Sequence, residues 1–377
     1  MMFFKKLGLA IALVSAIGTT ACASNSDYDS RWGNDLYERI QEAPVGGGFS
    51  MDGYWVWGSS VVKGDDGKYH MFVSRWRQEL LFHPGWMVES EIVHAVSDTP
   101  EGPYEFSDLA LDRRGAQYWD GQSVHNPRVI KHNGKYIMFY MGSTHNFPDL
   151  DDPKKLKLGD EYTIIGRANK RIGIAVSDSP YGPWERRDEP ALDTKPDTYY
   201  SFLTSNPSPW INEDGSVDLI FKSRFYNEKF PYHSKMNIGL ARAKSIDDPF
   251  EVVSKESIFS EKRFGVIEDP FIWRDETGYH LIAKDHYGAL IEEAKAGIMA
   301  HSKDGLNWFV DKEHPQAYSK TVKWDNGKNI AMGQLERPFI LMDDNGKPSH
   351  IFFATMDGIG GFENASKSWN MVVPLKK

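Results

Sequence analysis

The sequence predicts an all-β chain folded as a five-bladed β-propeller with four-stranded antiparallel blades. Three observations predict it. A phrase made of a residue pair, usually a proline, a Gly-containing turn and an aromatic-rich second strand recurs along the chain. The first four copies are each followed by a second hairpin, and two hairpins make a four-stranded blade. The copies repeat at roughly seventy residues, too long a period for a seven- or eight-bladed ring, and five of them fill the chain.

The elements follow in order. The first blade reads Trp57-Gly58-Ser59 with Gly67-Lys68-Tyr69, then the strand Ile92 to Asp98 with Gly102-Pro103-Tyr104; it alone lacks the proline. The second reads His125-Asn126-Pro127 with Gly134-Lys135-Tyr136, then Ile172 to Asp178 with Gly182-Pro183-Trp184. The third has Ser205-Asn206-Pro207 with Gly215, then Ile238 to Arg242 with Pro249-Phe250. The fourth has Glu268-Asp269-Pro270 with Gly278-Tyr279, then Gly297 to His301 with Gly305 and Trp308. The fifth has Glu336-Arg337-Pro338 with Gly346 and a single later strand, Trp369 to Leu375. A segment near Tyr54 to Trp57 is expected to help close the ring.

With 40% hydrophobic and 13% aromatic residues the chain buries a large core, and the unbroken repeat argues for one domain over residues 30–377. The formal charge of -9, with no basic run or face, excludes a general affinity for nucleic acid or acidic membranes. At the N-terminus, Lys5-Lys6, an apolar run from Leu7 to Ile17 and the small residues around Cys22 follow the order of a secretory signal. The run is too short to span a bilayer. Cys22 is the only cysteine, where a lipoprotein signal places its lipidated residue. Residues 1–22 are therefore expected to be a lipoprotein-type signal, ordinary cleavage near Ala21-Cys22-Ala23 being the alternative. The mature protein is expected in the periplasm or at the cell surface, touching membrane only through a lipid anchor.

In a propeller the inner strands surround the axis, and function collects at the rim where they begin. That rim is built by Trp57 and Gly58, His125 and Asn126, Ser205 and Asn206, Glu268 and Asp269, and Glu336 and Arg337. The partner strands end there with Arg75 and Arg77, His145, Lys222 and Arg224, Lys284 with Asp285 and His286, and Asp357. The cations among them favour a carboxylated or sulfated ligand in an otherwise acidic protein. The competing reading pairs them with Glu268, Asp269, Glu336 or Asp285 between blades. Trp55, Trp57, Trp76, Trp86 and Trp119 are candidates to stack on sugar rings, with Trp57 and Trp76 flanking the rim, whereas His94, His280 and His301 fall inside strands and read as packing residues.

The repeat, the acidic residue before proline, and phrases such as Ala95-Val96-Ser97-Asp98 with Glu101-Gly102-Pro103-Tyr104 make the chain resemble the five-bladed glycoside hydrolases of families 43, 32, 62 and 117. The resemblance implies a carbohydrate substrate. It also implies an Asp, an Asp and a Glu at the first three blade starts, where this chain has Gly58, Asn126 and Asn206. None of these exchanges a proton at neutral pH. The remaining candidates for proton transfer are His125, Glu268, Asp269, Glu336 and Asp120, with Asp52 a few residues before the first inner strand. The likeness to family 117 implies a histidine acid, here His125.

The expected function is a secreted, exo-acting glycoside hydrolase on an acidic or sulfated oligosaccharide, read by Trp57, Arg75, Arg77, Asn126, Asn206, Arg224, Asp285, His286 and Arg337. Elimination on a uronate-containing glycan is the chemical alternative, drawing on Arg75, Arg77, Arg224, His125, His286, Tyr226 and Tyr287. A non-catalytic glycan-binding lipoprotein is the third. The sequence carries no P-loop, dinucleotide glycine pattern or zinc-ligand spacing, so no cofactor is required; rim carboxylates leave room for a structural calcium.

Overall fold

The computed structural model describes residues 35–147 and 155–377. The proposed signal and Cys22 lie outside them. Blade one is β1 (Tyr54–Lys63), β2 (Tyr69–Arg77), β3 (Glu91–Ser97) and β4 (Glu105–Leu111). Blade two is β5 (Ser123–His132), β6 (Lys135–Ser143), β7 (Arg171–Ser177) and β8 (Glu185–Arg186). Blade three is β9 (Leu203–Ile211), β10 (Val217–Arg224), β11 (Asn237–Ala243) and β12 (Glu251–Val252). Blade four is β13 (Ile267–Asp275), β14 (Gly278–Asp285), β15 (Gly297–Ser302) and β16 (Gln316–Tyr318). After a small hairpin, β17 (Thr321–Lys323) and β18 (Asn329–Ala331), blade five contributes β19 (Gln334–Met342), β20 (Pro348–Met356) and β21 (Ser368–Pro374). All pairings within the blades are antiparallel, as the sequence predicts.

The core lies between the blades. Side chains alternate across each strand, so Tyr136, Met138 and Tyr140 of β6 pack toward blade one with Phe72 and Ile92, while Ile137 and Phe139 pack toward blade three with Leu219 and Phe221. The same division repeats around the ring, ending with Phe339 and Phe352 of blade five against Val56 and Met71 of blade one.

Closure differs from the sequence reading. Tyr54 to Trp57 begins the inner strand of blade one and pairs with Arg77 to Ser74. The ring is closed instead by the segment before it: Ile40 bridges Leu375 and Phe49 bridges Asn370, both antiparallel, along the free edge of β21. Phe49 and Asn370 exchange both backbone hydrogen bonds, at 2.8 and 2.9 Å. Gly48 permits this approach, since a Cβ there would meet the Asn370 carbonyl oxygen at 1.9 Å.

Every inner strand carries a β-bulge where it reaches the axis. The bulged residues Gly58, Asn126, Asn206, Asp269 and Arg337 all have φ between 50 and 64°. Proline follows four of them, at a place where a ladder N–H is dispensable. Asn and Asp tolerate this left-handed backbone; Arg337 is the outlier and is held by its partners. The bulge turns these side chains inward, which assembles the site.

Candidate active site

The bulged residues form a hydrogen-bonded arc around the axis. Asn126 Nδ2 donates to Asn206 Oδ1 at 3.0 Å, Asn206 Nδ2 donates to Asp269 Oδ1 at 3.0 Å, and Arg337 Nη1 donates to the same oxygen at 2.7 Å. The arc is open only at Gly58, which has no side chain to offer. Beyond it Arg128 closes the axis, donating to the Ser59 and Pro338 carbonyls at 2.9 Å each between the rings of Phe271 and Phe339.

Above the arc opens a cavity of about 370 Å³. One wall is aromatic: Trp57, Trp76, Phe82, Trp86 and Phe362, with His83 and His125. His125 stacks on Trp86 with centroids 4.8 Å apart, and its Nδ1 is engaged by Ser90 Oγ at 2.8 Å, so Nε2 is the nitrogen available to a ligand. Burial, reinforced by Arg337 and Lys170, pushes His125 well below the ordinary imidazole range, and at neutral pH it is an uncharged base. His83 is lowered to about 3, again mainly by burial.

The facing wall centres on Lys284. Its Nζ lies 2.8 Å from Glu268 Oε2, 2.7 Å from Glu336 Oε1 and 4.0 Å from Asp269 Oδ2. Glu268 also pairs with Lys222 and approaches His286 Nδ1 at 3.3 Å. Burial acts to raise both glutamates. At Glu268 the charges of Lys222 and Lys284 win, and the carboxyl sits well below its ordinary range; at Glu336 burial, joined by the charges of Asp269 and Glu268, outweighs Lys284, and the carboxyl is raised. Two carboxylates on one ammonium thus have opposite proton affinities.

A third group, Arg167, Lys170 and Arg224, lines the same cavity. Arg167 comes from the helix Glu161–Ala168, Lys170 precedes β7, and Arg224 ends β10.

Of the predicted residues, the cavity gathers Trp57, His125, Asn126, Asn206, Arg224, Glu268, Asp269, His286, Glu336 and Arg337, together with Tyr287. It excludes others. Arg75 is paired with Glu91 at 3.2 Å and lies over the Tyr54 ring; Arg77 is paired with Glu89 at 2.5 Å and Glu79 at 3.1 Å. Asp120 is fully buried outside the cavity, bound by Arg114 at 2.7 Å and the Tyr140 hydroxyl at 2.7 Å. Asp285 accepts the backbone N–H groups of Gly288 and Leu290 and fixes their loop. Asp52 is exposed at the preceding turn, and Tyr226 lies at a separate surface depression. Sequence reasoning missed Arg167, Lys170 and His83; the close spacing of Arg167, Lys170 and Arg171 just before the Ile172 strand was the one signal for the two cations, and His83 had none. Among the described residues no cluster of three or more His, Cys, Asp or Glu is arranged to hold a metal ion, and the axial carboxylate Asp269 is neutralised by Arg337.

No protein-family model matches the chain, and no curated protein matches its sequence. Solved structures do. A family 117 glycoside hydrolase from the marine bacterium Zobellia galactanivorans matches with a TM-score of 0.62 at 17% identity over 91% of both chains. BT0996, solved as a complex with RGII, gives 0.61 at 12% identity over 90% of this protein and 93% of its own length. A thermostable family-43 glycoside hydrolase gives 0.57 at 15% identity over 89% and 96%. These likenesses establish the five-bladed architecture the sequence predicted.

Proposed function

We propose that the protein is a glycoside hydrolase that cleaves sugar from the end of an acidic or sulfated oligosaccharide. The observation that carries the reading is the pair Glu268 and Glu336, pushed to opposite proton affinities in a cavity with one aromatic and one cationic wall. Carboxyl groups tuned apart in one site mark an acid and a partner that stays ionised. The aromatic wall offers faces for sugar rings, and seven cationic side chains against three carboxylates favour an anion. The floor closed by Arg128 suits a chain end better than a chain middle.

In this reading Glu336 gives its proton to the glycosidic oxygen as the bond to the anomeric carbon breaks. His125 Nε2 takes a proton from the water that attacks that carbon. Glu268, permanently ionised, stabilises the positive charge that develops on the sugar ring. No cofactor takes part. The likeness to glycoside hydrolases of families 117 and 43 supports the class of reaction. The N-terminal pattern supports export, with Cys22 as a lipid anchor.

One observation favours elimination as a second reading: an uncharged histidine in a cation-rich cavity also suits proton abstraction beside a uronate carboxylate. Mass spectrometry after incubation with sulfated and uronic-acid-bearing oligosaccharides tests both. Products that gain water support hydrolysis, and unsaturated products without added water support elimination. Unchanged oligosaccharides across the panel would overturn both and leave a binding protein.

A further inference from the structure

We propose that Arg167, Lys170 and Arg224 form a subsite that binds a sulfate ester group of the oligosaccharide. The proposal rests on the glycan reading above and adds the place and chemistry of the anion.

Buried cations are ordinarily paired with carboxylates, because an uncompensated charge away from water is costly. Lys170, which is buried, and Arg167 and Arg224, which are half-buried, are not. None makes an ion pair among the described residues, although all three line the cavity. Lys170 is the clearest case: the residue is 6% exposed, and its Nζ lies over the Trp86 ring, 3.9 Å from the centroid, with no hydrogen-bond acceptor among the described residues. Arg167 Nη1 donates to His233 Nε2 at 2.9 Å, while His233 Nδ1 donates to the Ser234 carbonyl at 3.0 Å, so the histidine orients Arg167 without supplying negative charge. Arg224 Nη1 also donates to the Ser234 carbonyl, again a neutral partner. Burial and the neighbouring cations hold His233 uncharged, its pKa lowered to about 4. Burial and mutual repulsion also lower Arg167 to about 10 and press Lys170 well below the ordinary ammonium range. The cluster is an anion site waiting for its counter-charge.

Three cationic arms, from the helix, the turn that follows it and the end of β10, equal in number the three terminal oxygens of a sulfate ester; a uronate carboxylate offers two. A sulfate ester stays ionised at every relevant pH, and its charge is spread more thinly, which lowers the penalty of leaving water for the cavity. Lys170 lies against Trp86, which stacks on His125, so the anion is read beside the proposed base.

Isothermal titration of the mature protein with sodium sulfate, and separately with sodium acetate at matched ionic strength, tests the proposal. Saturable sulfate binding tighter than acetate is expected, with affinity reduced about tenfold or more in Lys170→Met and in Arg224→Gln. The variants also control for the general stabilising effect of sulfate. Lys170→Met removes an unpaired buried charge and is expected to melt at or above the wild-type temperature; Arg224→Gln serves if it does not fold. Equal sulfate affinity in the variants, absent saturation, or tighter acetate than sulfate would overturn the subsite. Sulfate binding by a protein that cleaves no oligosaccharide would instead overturn the hydrolase reading and leave the subsite standing.

Discussion

Arg337 Nη1 lies 2.7 Å from Asp269 Oδ1 at the propeller axis, and both residues hold left-handed backbone with φ of 56 and 58°. The pair joins blades four and five and terminates the arc that runs through Asn206 to Asn126. Asp269 also accepts the Arg337 backbone N–H at 3.2 Å, which fixes the one bulky residue among the five bulges.

Asp269→Asn keeps the shape and the tolerance for left-handed backbone but strands the Arg337 charge. Removing one partner of a buried pair costs about 3–5 kcal/mol. Urea unfolding should show that loss, and a midpoint shift worth under ~1 kcal/mol would show that the pair is not the brace of the axis.

Gly58 is the one bulge without a side chain, and the space it leaves is already claimed. A Cβ there would stand 2.9 Å from Asn126 Oδ1 on a residue with φ of 64°. Gly58→Ala is expected to cost about 1–2 kcal/mol from left-handed strain alone, and more if Asn126 must abandon Asn206. Paired thermal melts of Gly58→Ala and a surface control, Gly134→Ala with open space and φ of 75°, separate strain from crowding.

The repeat made the five blades legible, and the residues before each proline marked the axis correctly. The rim cations were only partly legible because side chains alternate along a strand, and a one-residue offset flips the face. Counting starts from the residue opposite the last one before each bulge: Ser74 opposite Trp57, Lys222 opposite Ser205, Lys284 opposite Glu268. Even steps from there, Trp76, Arg224 and His286, line the cavity. Odd steps, Arg75, Arg77 and Asp285, do not. The sequence even holds the complement of the two arginines, Glu89 and Glu91, with Glu91 directly across the ladder from Arg75. Ring closure was misplaced for a different reason: Ile40 and Phe49 touch β21 through isolated bridges, with no strand-like alternation to betray them.

Export and lipidation rest on the N-terminal pattern, so they are tested by chemistry on that segment. Metabolic labelling with a clickable fatty acid should mark the wild-type protein and leave Cys22→Ser unmarked. Equal labelling of the two would remove the anchor.

Acid should destabilise the protein through histidines buried without charge. His83 is lowered to about 3, His233 to about 4 and His301 to about 3, in each case chiefly by burial. Unfolded histidine binds its proton near pH 6.5. Below that value the unfolded chain takes up protons that the folded chain refuses, so the stability contributed by these groups is whole above about pH 6.5 and is lost as pH falls toward 4 and 3. Denaturant melts between pH 7 and 4 should fall steadily, and the slope should shrink in His301→Gln, whose ring lies in an outer strand remote from the cavity. A slope unchanged by that substitution would show that its burial is not the cause.

The proposed chemistry assigns each limb of a pH–rate profile to one residue. His125 must be unprotonated, and burial holds its pKa below the ordinary 6.5, so the acid limb lies below that value. Glu336 must be protonated, and burial with Asp269 and Glu268 holds it above the ordinary 4.5, so the alkaline limb lies above that value. Proton-transfer residues typically contribute 10²–10⁴-fold, and losses of that size are expected in His125→Ala and Glu336→Gln. His125→Ala should erase the acid limb and Glu336→Gln the alkaline one. Glu268→Gln should lower turnover across the whole profile without removing either limb, because its carboxylate is ionised throughout. If Glu336 were instead only the buried partner of Lys284, Glu336→Gln would lower the melting temperature and keep both limbs, and measuring stability and turnover on the same variants separates the two roles.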